Sequence, residues 1–459
     1  MSASTLTAQL KGLVLPPRPD PARSRRIAEG RLLVSAVCVL AVFGAIATRV
    51  VMLAGEDNAR LNAYQTGGPA VDRGAVLDRN GRLLATNLPI TVLHADPAHI
   101  MDPRAAATAL APMLPRLDTA DLLRLLTKKT RYVELDRKLT PDRHAAILRL
   151  GIPGIHFRKS VIRAYPSGDL AAHVLGHVDV DNNGIAGIEK ALDAQLSAGK
   201  DVTLSIDAGV QAIVTRALRA QIDEYEAAAG AALMLEIGTG EIVSMVSLPD
   251  YNPNHIALAD DEARFNRASL GIYELGSTFK ILNTAIALET GTTTVDRRYS
   301  VAKPLRVPGK SITDYKTYDW PLSVPEIMVL SSNIGSAKMA AEFGGDTQRT
   351  YLERLGMSHR LALEIPEKST PMMPAQWKAA EIATVSYGHG IAVSLPHLAA
   401  AVSAASGDGM FLEPTLLHRQ PDDTRVRSRV FSETTTRAVR SMMRLVVSHP
   451  DGTANLAET

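Results

Sequence analysis

The chain has 459 residues, which is long enough for more than one domain. Its 50 lysine and arginine residues nearly balance its 48 aspartate and glutamate residues, so the overall charge does not indicate nucleic-acid binding. The single cysteine, Cys38, excludes an intramolecular disulfide. No P-loop or G-x-G-x-x-G pattern is present, and we therefore expect no nucleotide cofactor.

The first 53 residues have the pattern of a membrane anchor. Residues 1–31 are rich in proline and arginine and predict a disordered cytoplasmic tail. Residues 32–53 carry no charge apart from Arg49 and are mostly apolar, and roughly 20 such residues span a hydrocarbon core. Because basic residues precede this segment and Glu56 and Asp57 follow it, the positive-inside rule places the bulk of the chain outside the cytoplasm. A cleaved signal peptide is the alternative, which the long basic region disfavours.

Residues 58–200 predict a mixed module of short strands and helices. Residues 75–78 and 91–95 have the composition of strands. Residues 105–114 and Thr119–Leu126 have helical periodicity.

Two histidines of this module, His173 and His177, are four residues apart with Asp179 close by, a spacing that could indicate a metal site. Residues 174–178, however, predict a strand, and the glutamate of the H-E-x-x-H pattern is missing. We therefore predict no metal site here.

The next segment, residues 201–459, predicts a second domain that begins with a helix and a hairpin. Apolar residues recur at helical spacing over residues 208–225, with Asp207 as the expected N-cap. Two apolar runs, at 231–237 and 241–248, flank a Gly-Thr-Gly turn and predict a β-hairpin.

A nucleophile and a base follow in the stretch from Gly276 to Lys280, which reads Gly-Ser-Thr-Phe-Lys and opens an apolar helical pattern. Ser277 and Lys280 share one helix face, and a desolvated lysine can accept the serine proton. The helix start also supplies backbone N–H groups for an oxyanion. A second S-x-x-K, from Ser197 to Lys200, lies in a polar connector with no helix signal after it, so we predict Ser277 as the nucleophile.

The triplet Ser331-Ser332-Asn333 opens another helical pattern 54 residues after Ser277. A second hydroxyl can relay a proton to a leaving group, and an amide can hydrogen-bond both a lysine and a substrate carbonyl. Alone, the triplet is typical of a helix N-cap. In this order after Ser277 and Lys280, it predicts part of the same site.

The S-x-x-K and S-x-N elements resemble those of penicillin-binding proteins and class A β-lactamases. From about residue 70 to its end, the chain is similar to class B penicillin-binding proteins of the FtsI type. Further matching stretches are Arg73-Gly74, Asp78-Arg79-Asn80-Gly81, Ala95-Asp96-Pro97, Tyr165-Pro166-Ser167-Gly168, Gly184-Ile185-Ala186-Gly187-Ile188-Glu189, Leu204-Ser205-Ile206-Asp207, Tyr251-Asn252-Pro253-Asn254 and Ser386-Tyr387-Gly388-His389-Gly390.

The resemblance implies an α+β protein with a single N-terminal transmembrane helix at 32–53. A mixed α/β pedestal module at 58–200 and a serine β-lactamase-like transpeptidase domain at 201–459 would follow. It implies that Ser277 attacks a stem peptide of peptidoglycan, with Lys280 as the base, Ser331 as the proton relay and Asn333 as the orienting amide. The residues assigned to substrate binding are Gly276, Ser332, Tyr387, Gly388 and His389.

The resemblance also implies partners and a location. The substrates would be stem peptides on glycan strands derived from lipid II, and β-lactams would acylate the same serine. The expected location is the inner membrane at the division septum, with the N-terminus cytoplasmic and the bulk periplasmic. An FtsW-type glycosyltransferase and other divisome membrane proteins are the expected partners.

One family element, K-T-G, does not occur in the sequence up to Thr459. The resemblance therefore implies a transpeptidase domain that is incomplete at its C-terminus. We expect the 459-residue chain by itself to be poorly acylated by penicillin and protease-sensitive beyond about residue 230. The alternatives are a non-catalytic divisome component, an elongation-type transpeptidase, and a hydrolytic relative such as a carboxypeptidase or β-lactamase.

Overall fold

A computed structural model describes residues 34, 37–49, 72–419 and 427–457, and the chain divides into two compact units, Met1–Ala70 and Val71–Thr459. In the first unit, residues 37–49 are helical. The predicted tail at 1–31 and both ends of the predicted membrane segment at 32–53 lie outside the described residues. Within the described part of the chain, no helix combines the length and apolar character needed to cross a membrane.

The second unit begins with a sheet flanked by helices. Its strands are β1 (Val76–Leu77), β2 (Leu83–Ala95), β3 (Val133–Leu139), β4 (Ile155–Ala164) and β5 (Val202–Thr203). Its helices are α1 (Pro103–Leu110), α2 (Thr119–Leu126), α3 (Pro141–Leu150), α4 (Ala172–Leu175), α5 (Gly187–Ala191) and α6 (Asp193–Ser197).

Strand β2 is the centre of this sheet. It pairs antiparallel with β4 over ten residue pairs, from Thr86 with Ala164 to Ala95 with Ile155. It also pairs antiparallel with β3 and β1, and β5 joins β1 in parallel. The predicted strand at 75–78 is thus confirmed as the shorter β1, and the predicted strand at 91–95 is confirmed as the end of β2.

Aspartates start the first two helices. Asp102 accepts hydrogen bonds from the backbone N–H groups of Arg104 and Ala105, and Pro103 occupies the first helical position. Asp118 likewise accepts from the N–H of Asp121. The predicted helix Thr119–Leu126 is confirmed as α2, whereas the helix predicted at 105–114 ends at Leu110 and continues as a 3₁₀ turn.

One local prediction in this region is wrong. Residues 174–178 do not form a strand, because α4 covers Ala172–Leu175 and Val178 makes only an isolated bridge with Gly184. A short apolar run does not distinguish a strand from a helix by periodicity. As expected, no helix follows the second S-x-x-K: Ser197 is the last residue of α6, and β5 comes next.

The rest of the second unit is mainly helical. Its helices are α7 (Ala208–Glu224), α8 (Asp261–Arg264), α9 (Phe279–Glu289), α10 (Val324–Val329), α11 (Asn333–Arg354), α12 (Ala379–Val385), α13 (Leu395–Ser406) and α14 (Glu433–Ser448). Its strands are β6 (Gly230–Leu235), β7 (Ile242–Leu248), β8 (Arg298–Tyr299), β9 (Leu305–Val307), β10 (Lys310–Ile312), β11 (Leu322–Ser323), β12 (Met410–Phe411) and β13 (Ser428–Arg429).

The predicted helix and hairpin are confirmed. Asp207 caps α7 by accepting from the N–H groups of Gly209 at 2.8 Å and Val210 at 3.1 Å. Strands β6 and β7 pair antiparallel around the Gly-Thr-Gly turn.

Three buried apolar clusters hold the second unit together. The first lies among β2, β3, α1 and α2 and contains Leu93 and Leu122. The second is shared by β1, α5 and β7 and contains Val76, Ile188 and Met245, so it joins the sheet to the hairpin. The third packs α9, α11, α13 and α14 against one another. The two motif-bearing helices therefore lie in a common core.

A buried charge cluster fixes the base of the sheet. Glu189 of α5 has no exposed surface, and its two carboxylate oxygens each lie 2.7 Å from an arginine Nε, of Arg73 and of Arg163. Arg73 also contacts Asp193 at 2.7 Å. Because the guanidinium groups come from the chain before β1 and from the end of β4, the carboxylate joins three segments that are distant in sequence.

Replacement of Glu189 by Ala is expected to lower the free energy of unfolding by about 3–5 kcal/mol, because it leaves two buried guanidinium groups without their carboxylate. The matched control is Glu353→Ala, which removes an exposed pair with Arg349 at 2.8 Å and is expected to change stability by about 0.5 kcal/mol or less. Calorimetry of both full-length variants is the measurement. Equal shifts in their unfolding midpoints would contradict the assignment.

Candidate active site

A tight turn delivers Ser277 and Lys280 to the start of α9. Gly276 has φ +57°, which favours glycine, and Gly276–Thr278 forms a 3₁₀ turn that runs directly into the helix. Ser277 is exposed, whereas only 3% of Lys280 is exposed. The sequence spacing therefore places a hydroxyl at the surface and an amino group one turn below it, inside the core.

A second strained turn delivers the S-x-N triplet. Ser331 follows α10 and has φ +55°, a left-handed conformation that is unfavourable for a residue other than glycine. Ser332 then caps α11, because its Oγ accepts from the N–H of Gly335 at 2.9 Å. The turn therefore orients the side chains of Ser331 and Ser332 in different directions.

The two turns meet at the lysine. Lys280 Nζ lies 3.0 Å from Ser277 Oγ, 2.9 Å from Ser331 Oγ and 2.8 Å from Asn333 Oδ1. It also lies 2.7 Å from the backbone oxygen of Ser331. The hydroxyls of Ser277 and Ser331 are 3.0 Å apart. All four predicted catalytic residues are thus within one hydrogen-bonded cluster.

The partners of Lys280 suit a neutral amine. The carbonyl of Ser331 and the Oδ1 of Asn333 can only accept hydrogen bonds, so they take two N–H groups. A neutral amine has only two N–H groups, and its lone pair is then left for one of the two hydroxyls. The amine can therefore accept the proton of Ser277, directly or through Ser331.

Burial of the side chain lowers the pKa of Lys280 to about 8, and the negative charge of Asp314 opposes that shift. At pH 7, roughly a tenth of such a lysine is neutral, far more than for an exposed lysine. The environment therefore makes a base available near neutral pH without a metal or a histidine.

Asp314 is a residue of the site that the sequence did not indicate. Its carboxylate accepts from Ser332 Oγ at 2.6 Å and from the N–H of Ile334 at 2.9 Å. The preceding residue, Thr313, accepts from the Nδ2 of Asn333 at 3.1 Å through its backbone oxygen. The loop around Asp314 thus stabilises the S-x-N turn through these hydrogen bonds.

These contacts change the assignment of Ser332, which we predicted as a substrate-binding residue. Its side chain has no exposed surface, and its hydroxyl is engaged by Asp314 and Gly335. Ser332 therefore stabilises the turn and does not face the surface.

The loop 386–390 lies against the S-x-x-K turn. A Cβ added to Gly388 would lie only 2.1 Å from the backbone oxygen of Gly276, so the two backbones are in direct contact. Glu274 accepts from the N–H of Gly390 at 2.8 Å and lies 3.5 Å from His389 Nδ1. The rings of Tyr387 and His389 are 5.4 Å apart, and His389 is exposed beside the cluster.

The other sequence candidates have structural partners. Ser197 Oγ accepts from Arg73 at 3.0 Å, and Ser197 lies at the C-terminal end of α6 and not at a helix start. His173 donates through Nε2 to the backbone oxygen of Ala263 at 2.8 Å, and burial lowers its pKa to about 4. Among the described residues, no group of three or more histidine, cysteine or acidic side chains is placed to hold a metal ion.

Comparison with known families agrees with this geometry. Residues 69–206 match the penicillin-binding protein dimerisation domain, and residues 230–458 match the penicillin-binding protein transpeptidase domain. The chain is also 35% identical, over 424 residues, to the probable peptidoglycan D,D-transpeptidase FtsI of Caulobacter vibrioides, covering 90% of this chain and 72% of that protein.

The chain is a class B penicillin-binding protein of the FtsI type. It is likewise 30% identical over 414 residues to the peptidoglycan D,D-transpeptidase FtsI of Escherichia coli K12, covering 82% of this chain and 69% of that protein. A peptidoglycan synthetase from Bifidobacterium adolescentis has the same fold, with a TM-score of 0.63 and 22% identity over 81% of this chain and 80% of that one.

The acylation rate of this penicillin-binding protein by penicillin is expected to rise with pH through about 8 and then level off, because only the neutral form of Lys280 accepts a proton. In Asp314→Asn the midpoint should move to lower pH, since the charge that raises the lysine pKa is removed. Stopped-flow acylation between pH 6 and about 10 is the measurement. Asp319→Asn, in the same exposed loop, should leave the midpoint unchanged, and an upward shift in Asp314→Asn would contradict the assignment.

Proposed function

We propose that this protein is a serine D,D-transpeptidase that cross-links peptidoglycan stem peptides during septal wall synthesis. The observation that carries the proposal is the cluster of Ser277, Lys280, Ser331 and Asn333, in which a nucleophile, a buried amine and a second hydroxyl are all within 3.0 Å of a neighbour. The names of its relatives support the same reaction.

In the first step, the Oγ of Ser277 attacks the carbonyl carbon of the penultimate D-alanine, and its proton passes to Lys280 Nζ. The peptide C–N bond then breaks, and the proton passes through Ser331 Oγ to the departing amine. D-Alanine leaves, and an ester joins the donor peptide to Ser277. We assign the negative oxygen to backbone N–H groups at the start of α9, because no side chain caps this helix start among the described residues.

In the second step, an amine of a neighbouring peptide attacks the ester carbon and loses a proton to the neutral lysine. The C–O bond breaks, and Ser277 regains a proton as the cross-link forms. Asp314, the carboxylate that acts on Lys280, accepts hydrogen bonds from Ser332 and Ile334 and so also fixes the turn beside the amine.

We assign the loop beside the cluster to substrate binding. Gly276 and Gly388 bring the two backbones together, and Tyr387 and His389 then line the approach to Ser277. A β-lactam would acylate the same serine.

The anchor and the location are also part of the proposal. We place residues 32–53 across the inner membrane at the septum, residues 1–31 in the cytoplasm and the rest in the periplasm, on the charge distribution of the sequence. Residues 58–200 would form the pedestal and residues 201–459 would belong to the transpeptidase domain. Membrane partners would include an FtsW-type glycosyltransferase.

Fluorescent penicillin should label the full-length protein, and Ser277→Ala should abolish the label because it removes the exposed hydroxyl at the start of α9, 3.0 Å from the buried Lys280. Lys280→Ala should abolish it as well. Ser197→Ala is the matched control from the second S-x-x-K and should retain the label. Equal loss of label from Ser277→Ala and Ser197→Ala would exclude the proposed site.

A reporter enzyme that is active only outside the cytoplasm should work when fused after residue 60 and should fail when fused within residues 1–25. The physical reason is the cluster of arginines before the apolar segment, which resists transfer across the membrane. Reporter activity in cells is the measurement. The reverse pattern would overturn the proposed orientation.

A further inference from the structure

The polar contact between the motif-bearing helices continues one turn below the catalytic cluster. Asn283 follows Lys280 by three residues on α9, and Ser336 follows Asn333 by three residues on α11. The Nδ2 of Asn283 donates to both the backbone oxygen and the Oγ of Ser336, each at 3.1 Å. Because residues three apart share a helix face, the same two faces meet by hydrogen bonds at two successive turns.

This second contact is buried and incompletely satisfied. Only 2% of Asn283 is exposed, and Ser336 has no exposed surface. Among the described residues, the Oδ1 of Asn283 has no hydrogen-bond partner. A buried acceptor without a partner is destabilising, and an apolar residue of the same shape would pack here without that penalty. Stability of the core therefore does not explain an amide at this position.

Ser336 carries the connection onward to the loop beside the nucleophile. Its Oγ donates to the backbone oxygen of Ser386 at 2.9 Å, and Ser386 is 1% exposed. Ser386 is followed directly by Tyr387 and Gly388, the residue whose backbone contacts Gly276. The hydroxyl of Ser336 thus connects the amide of Asn283 on α9 to the loop 386–390 through hydrogen bonds.

We propose that Asn283 and Ser336 are positioning residues that hold α9 in register with α11 and hold the loop 386–390 against both helices. The inference rests on the proposed transpeptidase function, because it concerns the geometry of that reaction. Neither residue touches the reacting atoms. Their role is to keep Lys280 within hydrogen-bond distance of Ser331 and Asn333.

The physical argument is that apolar packing alone tolerates small sliding movements between helices. A hydrogen bond between two buried polar groups does not, since its strength falls steeply with distance and angle. A displacement of about 1 Å at a catalytic group can lower a rate about 100-fold. The Asn283–Ser336 contact therefore excludes displacements that the surrounding apolar side chains would allow.

The decisive variant is Asn283→Leu, which keeps the shape of the side chain and removes the unpaired acceptor. Its unfolding midpoint is expected to stay the same or rise, while its first-order acylation rate constant by penicillin falls about tenfold or more. A purely structural residue would not produce opposite changes in stability and rate. Calorimetry and stopped-flow acylation on the same preparation of the full-length protein are the measurements.

A second variant, Ser336→Ala, tests the connection to the loop. It removes the donor to Ser386, so the dissociation constant of the initial penicillin complex is expected to rise roughly three- to tenfold. The control is Ser406→Ala, a buried serine of α13 whose Oγ donates to the backbone oxygen of Val402 at 2.8 Å, within its own helix. The control should lose stability without a change in either acylation constant.

The outcomes separate this inference from the proposed function. If the unchanged protein is not acylated at Ser277, the proposed function fails whatever the variants do. If the unchanged protein is acylated and Asn283→Leu matches its first-order rate constant, the positioning role is wrong. The positioning role would also be wrong if the rate of Asn283→Leu, like that of the control Ser406→Ala, fell only in proportion to the fraction of unfolded protein.

Discussion

The amino group of Lys280 is buried, and burying it requires polar partners from elsewhere in the chain. Those partners come from a turn that lies more than 50 residues away, so α9 and α11 must pack with one defined register. The other features of the site follow from that requirement. The left-handed Ser331 presents both its hydroxyl and its backbone oxygen to the amine, and Asp314 and Thr313 hold this strained turn in place.

The same physical contacts make the lysine reactive. An apolar core lowers its pKa, and oxygen atoms that cannot donate occupy its N–H groups. The negative charge of Asp314, which also holds Ser332, limits how far the pKa of Lys280 falls. Burial of the amine therefore keeps its neutral form accessible near physiological pH, and one negative charge opposes this effect.

Local spacing explains what the sequence could predict. Ser277 and Lys280 are one helical turn apart, and Asp207, the hairpin turn and Thr119–Leu126 carry their own local signals. Asp314 has no such signal, because its role depends on a contact with a turn 18 residues away. The helix α4 was missed because its end is fixed by tertiary packing: a Cβ on Gly176 would lie 1.8 Å from the backbone oxygen of Ala186. Asn283 was visible only as a polar residue within an apolar run.

The contact between Gly276 and Gly388 restricts how the rim of this site can vary among related proteins. Positions 388 and 390 both have φ +78°, and position 388 has no room for a Cβ. Position 386 is buried and holds Ser336 through its backbone oxygen. Side-chain diversity in this loop is therefore confined to positions 387 and 389. A change in ligand preference that arises in the loop must occur at one of these two aromatic side chains, while the backbone beneath them stays constant.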